Sequence, residues 1–249
     1  MFEFLKNIWK TEEDVTDFSL QAFEVDMHSH ILPGLDDGAE TLEKSLMLVE
    51  EMMQLGYRKL IMTPHIMGDF YRNTPETIKE KLDELKAAVL KNGWPIELDF
   101  AAEYYLDEVL AERLHNQEQL LTFGDNYLLF ETSYINEALN LKEVVFMMKA
   151  SGYKPVLAHP ERYTYLYGRF EELVELRDSG VLMQLNLNSL TGYYSSAAKA
   201  VAEKLIDNKM VDFVGTDVHS FKHIQALHNL PASTYLKKLM QLPVRNASL

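Results

Sequence analysis

The chain has 249 residues, of which 47% are hydrophobic and 25% are charged, a composition typical of a globular protein with a sizeable core. It contains no cysteine, which excludes disulfides, thiolate zinc sites and every mechanism with a cysteine nucleophile. Its formal net charge of −14 argues against nucleic acid or an anionic membrane as a partner, because both bind basic surfaces.

The amino-terminal segment carries no sign of export. It lacks a signal-peptide core, and no apolar run in the chain approaches the roughly 18 residues that span a bilayer, so we expect a cytoplasmic protein without membrane insertion. We predict an N-terminal extension over residues 1–23 and one domain over 24–249. The extension carries an apolar stripe, formed by Phe2, Phe4, Leu5, Ile8 and Trp9. Packing of this stripe on the core is favoured over contact with another subunit, although a homo-oligomer stays open.

Strands and helices alternate after this extension. The predicted strands are Val25–His28, Lys59–Thr63, Glu97–Ala101, Tyr127–Phe130, Pro155–Ala158, Val181–Leu185 and Asp212–Gly215. Apolar residues three or four apart predict helices at Leu42–Leu55, from Pro75 to about Leu90, and at Lys142–Ser151, Phe170–Ser179 and Ala197–Asn208. Seven strands that alternate with helices indicate an α/β fold with a parallel sheet.

Histidines and carboxylates follow most of the predicted strands. They are His28, His30, Asp37, His65, Glu103, Glu131, His159, Asp217 and His219. In a closed βα barrel, functional groups collect at the carboxyl ends of the strands, whereas an open doubly wound sheet gathers them near one crevice. Because these residues belong to six of the seven strand–helix units, the pattern favours a barrel.

The chemistry of this set indicates metal binding. Imidazoles and carboxylates without sulfur suit hard or borderline divalent ions such as Mn²⁺, Zn²⁺ or Fe²⁺. There are too many ligands for one ion, so the sequence predicts a multinuclear metallohydrolase. Asp26 stands near the first histidines, and we expect it to orient an imidazole. Arg162 follows His159 by three residues and could bind a phosphate bidentately.

Each of these residues also has an ordinary structural explanation. A lone His-x-His is often a polar strand end, and Asp36-Asp37-Gly38 alone would be a solvated turn. Glu103 and Glu131 follow apolar strands, where a carboxylate is costly to bury unless Lys, Arg or a metal ion balances it. Independent structural residues would not all fall at strand ends, so metal binding is favoured for the set. Three histidines outside the pattern are interpreted as surface or structural: His115, His223 and His228.

Seven stretches between residues 26 and 220 carry a resemblance to a known superfamily. They are DMHSHILPGLDDGAET, TPHIMGDFYRNTPE, AAEYYLDE, FETSY, AHPERY, MQLNLNSLTG and VGTDVHS. The chain resembles the PHP (polymerase and histidinol phosphatase) superfamily, and within it the CpsB-type, manganese-dependent protein-tyrosine phosphatases of bacterial capsule and exopolysaccharide synthesis. The resemblance implies a distorted (β/α)₇ barrel with three metal ions at the carboxyl ends of the strands, held by the nine residues named above. It also implies a substrate, phosphotyrosine in the tail of a membrane-associated tyrosine autokinase.

The expected mechanism uses a metal-bridging hydroxide, since metal coordination lowers the pKa of water from 15.7 towards about 7. Arg162 would stabilise the phosphoryl charge, and phenolate, with a pKa of only about 10, would leave with little acid assistance. The four carboxylates and one hydroxide sum to about −5, so two divalent ions leave about −1 and three leave about +1. Charge therefore favours three ions, with Mn²⁺ expected first and Fe or Zn as alternatives.

One position departs from the pattern of the family, and other functions stay open. In the family a basic residue, often Arg, follows the final Asp-x-His; here Lys222 is the candidate for this second phosphate contact. The nearest alternative is a PHP phosphoesterase that acts on a small phosphomonoester such as histidinol phosphate. A catalytically silent binding module is a further alternative. An amidohydrolase-like enzyme ranks low, because Glu103 and Glu131 stand where a carboxylated lysine would be expected.

Overall fold

The computed structural model describes residues 20–228, 230 and 234–249. Their strands are β1 (Val25–Asp26), β2 (Lys59–Met62), β3 (His65–Ile66), β4 (Glu97–Phe100), β5 (Glu103–Tyr105), β6 (Tyr127–Glu131), β7 (Lys154–Ala158), β8 (Leu182–Asn186) and β9 (Phe213–Gly215). All seven predicted strands are present, with ends within two residues of those predicted. The apolar stripe of the predicted extension lies outside the described residues, whereas Leu20 and Phe23, near its end, are buried in the core.

The helices of the described residues are α1 (Leu42–Gln54), α2 (Pro75–Lys91), α3 (Glu108–His115), α4 (Leu141–Ala150), α5 (Phe170–Asp178), α6 (Leu187–Thr191), α7 (Ser196–Asp207), α8 (Phe221–His228) and α9 (Thr234–Leu239). All five predicted helices are present. Side-chain oxygens begin the first two, since Thr41 and Thr74 accept hydrogen bonds from backbone N–H groups three residues later. In the described part of the chain, no helix combines the length and apolarity that crossing a bilayer requires.

The nine strands of the described residues pair with one another in parallel and form two sheets. The order is β1-β2-β4 in the first sheet and β3-β5-β6-β7-β8-β9 in the second. Short breaks at residues 63–64 and 101–102 separate β2 from β3 and β4 from β5, so each pair belongs to one strand–helix unit. A bridge between Ser29 and Val218 brings the last unit beside the first. The predicted (β/α)₇ architecture is therefore confirmed as a distorted barrel, which the strand ladders of residues 20–228 and 234–249 do not close completely.

Alternation along the strands separates two cores and positions the site. Leu128 and Phe130 of β6 pack beneath the helices, whereas Leu129 belongs to the apolar cluster inside the barrel. The residues of that interior cluster are Val25, Met27, Ile61, Ala101, Phe123, Tyr127, Leu129, Val156, Ala158 and Phe213. Glu131 lies two residues beyond Leu129 and shares its face, so β6 places a carboxylate directly above the apolar interior.

Candidate metal centre

All nine predicted ligands lie at the carboxyl ends of the strands and converge on one region. His65 and Glu103 come after the breaks that follow β2 and β4, where they begin the short continuing strands β3 and β5, and Glu131 ends β6. His159 follows β7 and Asp217 follows β9, and both adopt left-handed backbone conformations, with φ of 32° and 51°. Such angles are uncommon for residues other than glycine, so the surrounding fold holds these two side chains in place.

Glu103 is the centre of the cluster. Its Oε2 lies 3.2 Å from Nε2 of His28, 3.3 Å from Nε2 of His30 and 3.2 Å from Nδ1 of His65. Its other oxygen, Oε1, lies 3.1 Å from Nε2 of His159. One carboxylate thus contacts four imidazoles, three through Oε2 and one through Oε1.

Three groups of side chains could each hold an ion. They are His30, Asp37, His65 and His219; His28, His30, Glu103 and Asp217; and His65, Glu103 and Glu131. His159 adjoins the last group, because its Nε2 lies 4.0 Å from Oε2 of Glu131. The groups share His30, His65 and Glu103, so the structure brings the nine residues into one connected cluster.

Buried polar atoms without hydrogen bonds indicate that this cluster fits cations. Within the described residues, Oε2 of Glu103 and Nδ1 of His65 are buried and have no hydrogen-bond partner. Leaving a carboxylate oxygen buried in this way is costly unless a positive charge balances it. A divalent ion between these atoms would remove that cost, so the residues present fit a metal centre.

The orientation of two imidazoles supports the same conclusion. Asp36 accepts a hydrogen bond from Nδ1 of His30 at 2.7 Å, and Oε1 of Gln184 accepts one from Nδ1 of His28 at 2.9 Å. In the neutral rings these bonds place the proton on Nδ1 and leave the lone pair on Nε2. The two Nε2 atoms face each other at 3.3 Å, so both lone pairs point at the same position.

The pKa values of His28 and Glu103 are both shifted by their neighbours in the cluster. Burial opposes the charged form of His28, but the neighbouring Glu103 and Asp217 outweigh this effect and raise its pKa to about 9. Burial likewise disfavours the Glu103 carboxylate, yet His28 and His65 hold its pKa well below the usual range. A proton on His28 therefore offsets the charge of these carboxylates, and metal ions held by the cluster would displace it.

The structure corrects the predicted role of Asp26. Its carboxylate accepts hydrogen bonds from the backbone N–H and the hydroxyl of Thr216, both at 2.9 Å, and so ties β1 to the end of β9. The imidazole-orienting role falls to Asp36 and Gln184, which sequence reasoning missed. Gln184 is a polar residue between the apolar Met183 and Leu185 in the middle of β8, a signal that could have drawn attention to it.

Two predicted substrate contacts lie beside the cluster. Arg162 forms an ion pair from Nη1 to Oδ2 of Asp217 at 2.5 Å, and its side chain is 17% exposed. Lys222 lies on α8 and lines a cleft of about 510 Å³ together with Asp37 and His219. His223, predicted to be surface or structural, accepts a hydrogen bond from the backbone N–H of His219 at 3.2 Å.

Sequence comparison identifies relatives along most of the chain. The model of a family described as capsular polysaccharide synthesis, CpsB/CapC, matches residues 24–241. The tyrosine-protein phosphatase YwqE of Bacillus subtilis is 29% identical over 199 residues, which cover 80% of this chain and 78% of the relative. The tyrosine-protein phosphatase CpsB of Streptococcus pneumoniae is 27% identical over 241 residues, which cover 89% and 96%.

Solved structures agree with the sequence relatives. One chain from the crystal structures of YwqE from Bacillus subtilis and CpsB from Streptococcus pneumoniae, described as unique metal-dependent tyrosine phosphatases, is 28% identical to this chain. It aligns with a TM-score of 0.75 and covers 89% of this chain and 94% of its own. The lactonase Lmo2620 from Listeria monocytogenes aligns with a TM-score of 0.53 at 13% identity, covering 92% and 91%, and shares the fold alone. The resemblance found in the sequence is confirmed, and the chain belongs to the CpsB/CapC family of capsular polysaccharide synthesis.

Proposed function

We propose that this chain is a metal-dependent protein-tyrosine phosphatase, a phosphoric monoester hydrolase that releases phosphate from tyrosine side chains. The observation that carries the proposal is the buried Glu103 carboxylate, which contacts four imidazoles beside a cationic Arg162. A connected set of cation sites next to a fixed guanidinium suits a doubly charged phosphate monoester. The tyrosine-phosphatase activity of the relatives YwqE and CpsB supports the choice of substrate.

Eight of the nine clustered residues would hold three divalent ions, one in each of the three groups described above, and His159 would adjoin the group that contains Glu131. The mixture of imidazole and carboxylate ligands without cysteine supports Mn²⁺, with Fe and Zn as alternatives. When bound, such ions lower the pKa of water and offset the negative charge of the phosphate. With four carboxylates in the cluster, three ions rather than two give the site a positive charge for an anionic substrate.

The protein's own side chains would orient the phosphate. Arg162 presents a planar guanidinium, whose N–H groups match the spacing of phosphate oxygens. Lys222 lies in the cleft beside His219, and we propose it as a second cationic contact. Tyrosine leaves as phenolate with a pKa of about 10, so the mechanism needs no strong general acid.

We further propose that the substrate is phosphotyrosine in the tail of a membrane-associated tyrosine kinase that controls capsule or exopolysaccharide synthesis. The enzyme would meet this tail in the cytoplasm. Membership of a capsular polysaccharide synthesis family supports the biological setting. The cleft of about 510 Å³ that starts at Asp37 and His219 gives a peptide room beyond the phosphate itself.

Hydrolysis of a phosphotyrosyl peptide by chelator-stripped protein, with and without added Mn²⁺, tests the proposal. Histidinol phosphate serves as the competing substrate in the same assay. We expect phosphate release from the peptide that depends on Mn²⁺ and exceeds release from histidinol phosphate. Turnover of histidinol phosphate alone would assign the chain to small-molecule metabolism. No turnover of either substrate by protein that binds metal would support a silent binding module.

A further inference from the structure

Arg162 lies between two aromatic rings. Its Cζ atom is 4.0 Å from the ring centroid of Tyr194 and 4.6 Å from that of Tyr134. Both distances are within the range of cation–π attraction, which strengthens where water is partly excluded. We call Tyr134 and Tyr194 the tyrosine pair. Together with the ion pair to Asp217, the tyrosine pair surrounds the guanidinium and restricts its position.

Each ring of the tyrosine pair is itself tied to the metal centre. The hydroxyl of Tyr134 donates to Oε2 of Glu131 at 3.2 Å. The hydroxyl of Tyr194 accepts from Nδ2 of Asn186 at 2.9 Å, and the same nitrogen donates to Oδ2 of Asp217 at 3.1 Å. The positions of both rings therefore depend on carboxylates of the cluster. Through the two rings, the guanidinium is held at a fixed position relative to the cluster.

The ion pair alone would leave Arg162 poorly directed. An arginine side chain has many rotamers, and a single contact from Nη1 lets the guanidinium turn about that bond. The tyrosine pair restricts this rotation. Among the described residues, the guanidinium donates one hydrogen bond, from Nη1 to Asp217, so Nε and Nη2 have no hydrogen-bond partner there and could donate to a phosphate.

We propose that Tyr134 and Tyr194 are positioning residues that hold Arg162 in the orientation that binds the phosphoryl group of the substrate. This inference rests on the proposed function, because it gives Arg162 a phosphate to bind. The rings contact the guanidinium and act through it. Losing one ring should therefore matter only while Arg162 is present, and it should weaken binding of phosphate as well as turnover.

A double-mutant cycle between Tyr194 and Arg162 tests this inference. The variants are Tyr194→Leu, Arg162→Ala and their combination, with Tyr194→Phe as the conservative variant that keeps the ring. The readouts are kcat and KM for a phosphotyrosyl peptide and, by calorimetry, the Kd of inorganic phosphate for manganese-loaded protein. Tyr235→Leu is the matched control, because it removes a surface cation–π contact, 4.5 Å from Nζ of Lys238, on α9.

We expect Tyr194→Leu to weaken phosphate binding and lower kcat/KM on the order of 10-fold when Arg162 is present. In the Arg162→Ala background the same change should have little further effect. Tyr194→Phe should retain most of the affinity, and Tyr235→Leu should change neither readout. Manganese content should stay the same in all variants, which separates loss of orientation from loss of metal.

Several results would overturn the inference. One is an equal effect of Tyr194→Leu with and without Arg162, and another is no effect of Tyr194→Leu on phosphate affinity. A loss in Tyr194→Phe as large as in Tyr194→Leu would assign the effect to the hydroxyl rather than the ring. If the wild-type protein had no peptide phosphatase activity, the proposed function would be refuted. The positioning role could still be tested, because calorimetry of phosphate binding completes the double-mutant cycle without turnover.

Discussion

The two ends of the barrel are built on opposite principles. At the amino ends of the strands, Phe213 packs edge to face against Phe123 and Tyr127, which are tilted relative to each other, with ring centroids 4.9–5.4 Å apart in an apolar cluster. At the carboxyl ends, buried carboxylates and imidazoles crowd together, and Glu103 leaves an oxygen without a hydrogen bond. The first end stabilises the fold because apolar surface is buried there. The second end concentrates negative charge, which is stable only when cations balance it.

This contrast shows that stability and metal binding depend on opposite ends of a strand. On β6, Leu129 belongs to the apolar interior and Glu131, two residues later, belongs to the metal cluster. A substitution at one end should therefore change the free energy of unfolding, and a substitution at the other should change metal content.

Substituting Glu103→Gln should have the largest effect, because this carboxylate belongs to two of the three groups. We expect loss of bound metal and a fall in kcat/KM of at least about 10³-fold, since metal ions contribute several kcal/mol to transition-state stabilisation. Mass spectrometry of the metal content and peptide hydrolysis measure the two losses. Glu97→Gln is the matched control, since Glu97 is exposed on β4 and pairs with Lys59 at 3.0 Å. Normal metal content in Glu103→Gln would contradict the assignment.

Substituting Phe213→Ala at the apolar end should lower the free energy of unfolding by about 3–5 kcal/mol. Phe213 is fully buried and contacts two aromatic rings, so its removal leaves a cavity. Urea denaturation measures the loss. The metal content of each folded chain should match that of the wild type. A variant that keeps its stability but loses metal would show that the two ends are not separate.

Adding Mn²⁺ to chelator-stripped protein should stabilise the fold only through the metal cluster at the carboxyl ends of the strands. At a metal concentration 100 times the Kd, one site contributes about 2.7 kcal/mol, which corresponds to roughly 5–10 °C in Tm. Thermal denaturation in a manganese titration measures the shift. Phe213→Ala should show the same shift from its lower starting Tm, whereas Glu103→Gln should show a smaller one. An identical shift in Glu103→Gln would place the stabilising ions elsewhere.

Substituting Asp36→Asn should weaken metal binding about 10–100-fold, because the residue that orients a ligating imidazole tunes its affinity. Asp36 accepts the hydrogen bond from Nδ1 of His30 and a second from the backbone N–H of His65. Competition with a chelator of known affinity measures the change. Asp26→Asn is the contrasting variant, since its carboxylate binds Thr216, and it should lower stability more than metal affinity. The reverse pattern would restore the role that the sequence suggested for Asp26.

Local patterns explain why so much of the architecture was predictable. The strands are apolar runs between turn residues, and the ligands follow them directly. The parallel strands and the position of the ligands at their carboxyl ends could therefore be predicted together. The breaks in two units were missed because β3 and β5 have only 2 and 3 residues. Pro64 lies in the first break and has no N–H to donate to a ladder.

Contacts between distant residues explain what the sequence did not reveal. Asp36 and Asp37 are adjacent and chemically identical, and only the fold turns the first towards His30 and the second towards His219. Gln184 lies 156 residues from His28, which it orients. The tyrosine pair likewise comes from two separate loops, so no spacing in the sequence could have associated these rings with Arg162.

The number of manganese ions that each chain binds, counted by native mass spectrometry during a titration of metal-free protein, tests the multinuclear centre most directly. We expect about three ions per wild-type chain, with hydrolysis of a phosphotyrosyl peptide appearing only as all three sites fill. We also expect fewer ions in Glu103→Gln, whose missing carboxylate serves two groups. Saturation at one ion per chain, with full activity, would contradict a multinuclear centre.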